Sequence, residues 1–444
     1  MEFLDKFVLP QSAEHIQLLH YMVIVVLALS IPFLSVMLCG TLISYLHKRK
    51  DNAVSKAHSE RFALNVINII TVNKSIGFVL GVLPLFAVIL IYLQLLHTSG
   101  SISLILLIIS FIFIVTGIIS AYTYKYSLNY SDIFNNLRDF SSGNNEISNE
   151  LSGAQKGTSK LSFTSAKYAI SCLFVGTYIY IAGITIAGTP EEWQLSSIFS
   201  MFSINIILRY LEFIAIAFSF TGAAFLFFFF VWDGGKEVED APYYLFVKET
   251  VVKITFVPAL ILPILVLLNL FILPKTSLSG SVFFYIAVAI ILLLFVYVFL
   301  YSIIRDSNVK VSALLFIAMF FVTVSLIAKD QLAISNATQL HSVILNAKYD
   351  EYIKTIKGEE GTVVMSGAEV YQIRCSSCHK FDVKLVGPPY KQTMPKYEGK
   401  EDKLVQFILN PVKVNPDFPS MPNPGLKPDE AKAVAKYILE NYKK

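Results

Sequence analysis

Charge, cysteine and tryptophan are all scarce in this chain of 444 residues. Asp, Glu, Lys and Arg make up 15% of it, against about 25% in an average soluble domain. A water-facing surface over the whole molecule is therefore excluded. The formal net charge of +4 is too small to hold nucleic acid. Four cysteines are too few for a disulfide framework. No basic leader precedes the first apolar run, which is 27 residues long; this favours a retained span over a cleaved signal peptide.

What fills the chain is apolar: 55% hydrophobic residues, 35 of them Phe. Crossing a hydrocarbon core of roughly 30 Å takes about 20 apolar residues in a helix. Eight runs reach that length, at 20–46, 75–96, 101–123, 168–189, 209–232, 252–273, 280–303 and 311–329. Segment 196–208 is too short to span, and its mixed character predicts a helix lying at the interface. Connections on one side, counted with Lys253 at the start of the sixth span, carry 16 Lys and Arg, those on the other side 2. The positive-inside rule then puts both termini outside the cytoplasm, in what is expected to be a bacterial inner membrane. Pro258 and Pro263 are expected to kink the sixth span, and Lys74 and Lys253 to snorkel from helix ends. Cys39 and Cys172, each alone in an apolar run, read as small hydrophobes.

Near residue 330 the composition turns polar and Lys-rich. The chain accordingly divides into a transmembrane domain (1–329), a helical stalk (330–362) and a last domain (363–444). Leu332, Ile334, Leu340, Ile344 and Ile353 recur at helix-like intervals in the stalk, and Gly358, Gly361 and Gly367 would loosen its junction with the last domain.

That domain contains Cys375-Ser-Ser-Cys378-His379, the attachment pattern of c-type haem. Two thiols one helical turn apart can add to the two vinyl groups on one haem edge, and the adjacent His then faces the iron. A zinc site and a redox dithiol are the other uses of this pattern. Residues 363–444 resemble a class I cytochrome c domain, through Gly367, Val370 and Tyr371, the Cys-Ser-Ser-Cys-His run, Val386-Gly387-Pro388-Pro389, Met421-Pro422 and the segment from Lys427 to Ile438. The resemblance implies a small all-α domain with one covalent haem c, His379 as proximal ligand, Pro388 as its buttress and Met421 as distal ligand. Met421 also stands among Pro416, Pro419, Pro422 and Pro424, which stiffen its loop; Met394 is its rival. The final helix opens with Pro428-Asp429-Glu430, residues suited to a first turn, and presents Ala431, Val434, Ala435 and Ile438 as an apolar face. Met/His ligation leaves no open coordination position and suits single-electron transfer. Lys380, Lys384, Lys391, Lys396 and Lys400 either steer an acidic redox partner or are simply solvated.

Eight spans exceed what an anchor requires. His20 opens the first and His97 closes the second, which makes them candidate ligands of a haem b; the other reading seats them among headgroups. Arg209 and Glu212 are three apart on one helix face. They form a candidate quinol site in which Glu212 takes the proton, or else a salt bridge at the interface or against another subunit. The stretch from Leu211-Glu212 to Trp232-Asp233 resembles the Glu-bearing, Phe-rich helix of the cytochrome bd quinol oxidase large subunit. Here that helix comes fifth instead of third, and no Gly-Arg-Gln-Pro-Trp stretch or long outer loop accompanies it.

The expected fold is all-α, an eight-helix transmembrane bundle followed by a cytochrome c domain. The expected function is a membrane-bound c-type cytochrome passing single electrons from quinol to a periplasmic or complex-bound acceptor. Its partners would be lipid, a redox protein and other membrane subunits, with no nucleic acid. A non-catalytic subunit of an electron-transfer complex is one alternative, and a transport or sensor module with a fused redox domain is another. Paired broken helices, the mark of many transporters, are not evident.

Overall fold

The computed structural model describes residues 8–49, 56–71, 73–140, 145–193, 198–238, 240–357 and 365–443. Helices dominate, with no strand among the described residues. The chain divides into two compact units. One comprises Met1–Leu19, His97–Ser99 and Ser335–Lys444; the other comprises His20–Leu96 and Gly100–Ile334.

Among the described residues, eight helices are long and apolar enough to cross a membrane. They are α1 (Ala13–Lys48), α3 (Lys74–Leu95), α4 (Ser103–Phe140), α5 (Asn145–Ala187), α6 (Ile204–Phe230), α7 (Ala241–Ile272), α8 (Gly280–Arg305) and α9 (Ser312–Ala337). The protein is thus a multi-pass membrane protein. A further helix, α2 (Lys56–Ile70), buries Phe62, Val66, Ile67 and Ile70 on one face. At 38 and 43 residues, α4 and α5 reach about 57 and 65 Å, well beyond the hydrocarbon core.

Helix α7 runs unbroken through Pro258 and Pro263. Pro263 has no N–H for the carbonyl four residues back. That carbonyl, of Ala259, instead accepts a hydrogen bond from the Tyr297 hydroxyl of α8 at 2.8 Å. In a medium without water, such replacement is what permits proline inside a span. Lys253 pairs with Glu249 along the exposed side of the same helix, and Lys74 lies over the ring of Tyr126.

One expectation about the helices is corrected. Segment 196–208 is not one interfacial helix: Ile198–Phe202 is a short 3-10 turn, and residues from Ile204 onward already belong to α6. The Ser203 hydroxyl caps α6 by accepting from the N–H of Ile206, so the helix begins at a polar residue that apolar counting passes over. Two helices meet within the stalk. Helix α9 continues to Ala337, and a separate helix, α10 (Gln339–Ile356), follows. Gly358 and Gly361 lie outside the described residues.

The cytochrome-like domain contains α11 (Gly367–Val370), extended by a π turn over Tyr371–Cys375, then α12 (Tyr390–Thr393), α13 (Glu401–Leu409) and α14 (Pro428–Asn441). Ser366 starts α11 with a capping box to Glu369. The core joins Val370, Tyr371, Leu404, Ile408, Val434 and Ile438. Gly367 does not loosen a linker. It sits where α11 meets α14, and a Cβ there would overlap the carbonyl of Ala433 and the side chain of Tyr437. Gly367→Ala is expected to cost about 1–3 kcal/mol, read as a lowered thermal midpoint of the haem absorbance; an unchanged midpoint would show that the two backbones do not need this contact.

Candidate functional site

The π turn brings Cys375 round so that its carbonyl accepts from the N–H of both Cys378 and His379, at 3.1 and 2.8 Å. The two thiols and the imidazole are thereby wound into one tight turn. Both cysteines are buried and free of disulfides. Burial pushes the Cys375 thiol up to about 11 and raises that of Cys378. Burial thus works against the thiolate form that a redox dithiol uses. Nor does any group of three His, Cys, Asp or Glu side chains converge on a metal position among the described residues, so the zinc use of the pattern lacks a ligand set.

His379 is oriented from three sides. Its Nδ1 lies 3.0 Å from the carbonyl of Pro388. A carbonyl only accepts, so Nδ1 carries the hydrogen and Nε2 keeps a lone pair. Tyr390 stacks on the ring at 5.1 Å and 11°. Gly387 passes so closely behind that any Cβ would overlap the imidazole. Burial lowers the His379 pKa, opposed by the hydrogen bond to Pro388.

Beside this turn lies an apolar cleft made of two adjoining hollows, one of 470 Å³ and one of 80 Å³, each partly open. Cys375, His379, Pro388, Pro419 and Met421 line both. Met394 lines the larger one alone and is 4% exposed, so the structure brings both candidate methionines to the cleft. Native interiors leave few voids larger than a water molecule. A hollow of this size, walled by Tyr390, Leu404, Ile408 and Ile438, suits a flat apolar macrocycle, and His and Met side chains suit its iron.

A buried Cys-x-x-Cys-His turn, a ring nitrogen left available and an apolar slot between short helices define a c-type haem domain. The comparisons with known proteins agree. The family model described as Cytochrome c matches residues 364–441. Cytochrome c-551 of Pseudomonas denitrificans is 34% identical over 80 residues, which cover 95% of that protein and 17% of this chain. The cytochrome c-551 of Azotobacter vinelandii is 32% identical over 80 residues, with the same coverage. That of Pseudomonas aeruginosa is 39% identical over 69 residues, covering 15% of this chain; the chain spans 65% of that relative's length. Through its C-terminal domain the chain belongs to the cytochrome c family; the cofactor of that domain is haem and the domain's work is electron transfer. No solved structure matches the chain, and the likeness of α6 to cytochrome bd gains no support from these comparisons.

In the membrane unit the expected pairing of Arg209 with Glu212 is corrected. Glu212, 4% exposed, accepts from Lys329 of α9 at 3.1 Å and from the side-chain amide of Asn269 in α7. Arg209 pairs instead with Asp330 at 3.3 Å, and Lys329 also reaches Asp330 at 3.2 Å. Two acids and two bases from α6 and α9 form one neutral cluster. It borders a 70 Å³ cavity walled by Leu27, Ile31, Ile181, Ile184 and Leu326. Sequence reasoning passed over Lys329, Asp330 and Asn269. The available signal was a Lys-Asp pair followed by further apolar residues, which marks a charge inside a span and not the end of one.

His20 lies in the membrane unit, with its Nδ1 buried and unbonded among the described residues. His97 lies in the other unit, where its main-chain carbonyl accepts from the ring of His341, another residue passed over. Burial lowers the His341 pKa to about 4, so that ring is neutral at pH 7.

Proposed function

We propose that this protein is a membrane-bound c-type cytochrome that passes single electrons from a membrane quinol to a periplasmic or complex-bound acceptor. The observation that carries this reading is the convergence of Cys375, Cys378, His379 and Met421 on one apolar cleft. Cys375 and Cys378 would hold a single haem c by two thioether bonds. His379 would meet the iron through Nε2, because its Nδ1 is committed to Pro388; Pro388 thus fixes the ring's tautomer and plane. Met421 would supply the second axial ligand. Bound in this way, haem supplies a one-electron iron couple with no open position for oxygen. Leu404, Ile408 and Ile438 exclude water around it.

In the full-length protein, Met421→Ala should abolish the weak sulfur-to-iron absorption band and lower the potential, whereas Met394→Ala should leave both in place. The reverse result would exchange the two methionines.

The donor reading rests on the ionic cluster. A quinol losing electrons must also lose protons. Both oxygens of Glu212 are already engaged by Lys329 and Asn269. Asp330 uses Oδ1 for both of its ion pairs, which leaves Oδ2 to accept a proton, while Arg209 holds the carboxylate in place. A soluble quinol analogue should therefore reduce the haem of the full-length protein, and Asp330→Asn should slow that reduction about 100-fold, within the usual range for loss of a general base. An analogue that leaves the wild-type haem oxidised would remove quinol as donor.

A haem b with His20 as a ligand is a further element of the proposal; its mark would be a b-type band in the reduced spectrum that His20→Ala removes. Other membrane subunits would cover part of the apolar surface of α8, where Leu294, Phe295 and Val298 are more than half exposed. The excess of Lys and Arg on one side of the spans supports an inner-membrane location with the haem domain in the periplasm.

A further inference from the structure

Helix α10 lies outside the cytochrome fold yet walls the haem cleft. Leu340, Val343 and Ile344, on one helix face, line the smaller opening together with Cys378, Pro388 and Met421. Arg374, immediately before Cys375, reaches from the haem domain to Asp350 of α10 at 3.8 Å, with its own side chain 12% exposed. The helix is tied down elsewhere as well. The N–H of Ala13 donates to Asn346 at 2.8 Å, and Lys348 donates to the hydroxyl of Thr98 at 2.8 Å.

This helix is an addition. The family match begins at residue 364, and two relatives are covered over 95% of their length by 80 residues, which leaves them no counterpart of α10.

The larger opening is different in kind. At its rim Val412 and Val414 are 65% and 62% exposed. Lys396 and Lys413 stand beside them, and Lys384 lies over the ring of Phe418 at 4.5 Å. Asp417 is the acid of the 410–427 loop; Asp382 and Glu398, close in sequence to Lys384 and Lys396, are paired with Lys391 and Lys443 instead. An apolar centre in a basic rim has the composition of a transient docking surface. Lys391, by contrast, is paired with Asp382.

We propose that α10 is a built-in cap on the Cys378 side of the haem cleft, and that the external redox partner, a protein with an apolar spot ringed by acidic side chains, docks at the Val412–Val414 opening. This rests on the reading of the cleft as the haem site. It turns a diffuse group of lysines into one face, because the rival opening is already walled by α10 of the chain itself.

The test uses the full-length haem protein in detergent, with Cys39 and Cys172 replaced by Ser. A single Cys is placed at Val343, Ile344, Val412 or Val414, and a maleimide reports its accessibility. Labelling at 412 and 414 should be at least about ten times faster than at 343 and 344; equal rates would overturn the cap. Oxidation of the reduced haem by ferricyanide, an anionic probe, should slow about five-fold at low ionic strength in Lys396→Glu/Lys413→Glu. Oxidation by the cationic tris(phenanthroline)cobalt(III) should quicken. Lys354→Glu/Lys357→Glu at the C-terminal end of α10 should change neither rate, and sensitivity confined to the α10 pair would overturn the docking face. A preparation without a haem spectrum would refute the haem reading itself, whereas equal labelling in a preparation that shows the spectrum would overturn the cap alone.

Discussion

Replacing Cys375 and Cys378 together by Ser will leave a chain that shows no haem stain after denaturing electrophoresis, while either single variant, with one thioether remaining, will still stain. Any haem the double variant retains will be removed by acid-acetone extraction. The structural effect should be equally large. An open cleft of 470 Å³ left without its haem would put Leu404, Ile408 and Ile438 in contact with water, at about 1.5–3 kcal/mol for each buried side chain, against a whole-domain stability of about 5–15 kcal/mol. Without haem the domain should therefore collapse or unfold instead of persisting as a hollow shell. Limited proteolysis would then cut between residues 365 and 443 while leaving α1 to α9 intact. A double variant that still stains would mean that these two thiols are not the attachment points.

Lys329→Met should be the most damaging single change in the membrane unit. It leaves the Glu212 carboxylate, 4% exposed, with Asn269 as its remaining partner. Breaking a buried pair from one side costs about 3–5 kcal/mol, visible as a lower thermal midpoint of the detergent-solubilised protein. Lys329→Met/Glu212→Leu should recover most of the loss, since replacing both members of a buried pair by apolar groups is often nearly neutral. Arg209→Gln should cost less. Its partner Asp330 has a side chain 28% exposed and retains Lys329. If the double variant is no more stable than Lys329→Met alone, the pair is not the source of the effect.

The contrast between these sites shows what a linear sequence can carry. The haem turn is legible because its chemistry is local: five consecutive residues supply both thiols and the imidazole. The spans are legible because lipid demands long apolar runs. Their ends are less so, since a helix continues past its apolar stretch until its hydrogen bonds are capped or interrupted, as α9 does to Ala337. The partner of Glu212 was not legible. Spacing rules rank neighbours three or four residues away, which favours Arg209, whereas Lys329 stands 117 residues along the chain. The stalk's apolar intervals coincide with a helix over α10. That its Leu340, Val343 and Ile344 face the cleft depends on a tertiary contact that periodicity does not encode.

The attachments of α10 to Ala13 and Thr98 bear on kinetic order. A helix fastened at its flank and leaning on the cleft gives the haem domain a companion at fixed local concentration. Delivery of an electron from a donor bound to the same chain would be first order and indifferent to dilution. Departure through the Val412–Val414 rim would be second order, rising with the concentration of the acceptor and falling as salt is added. One small domain would thus run on two clocks, and a dilution series at constant ionic strength would separate them.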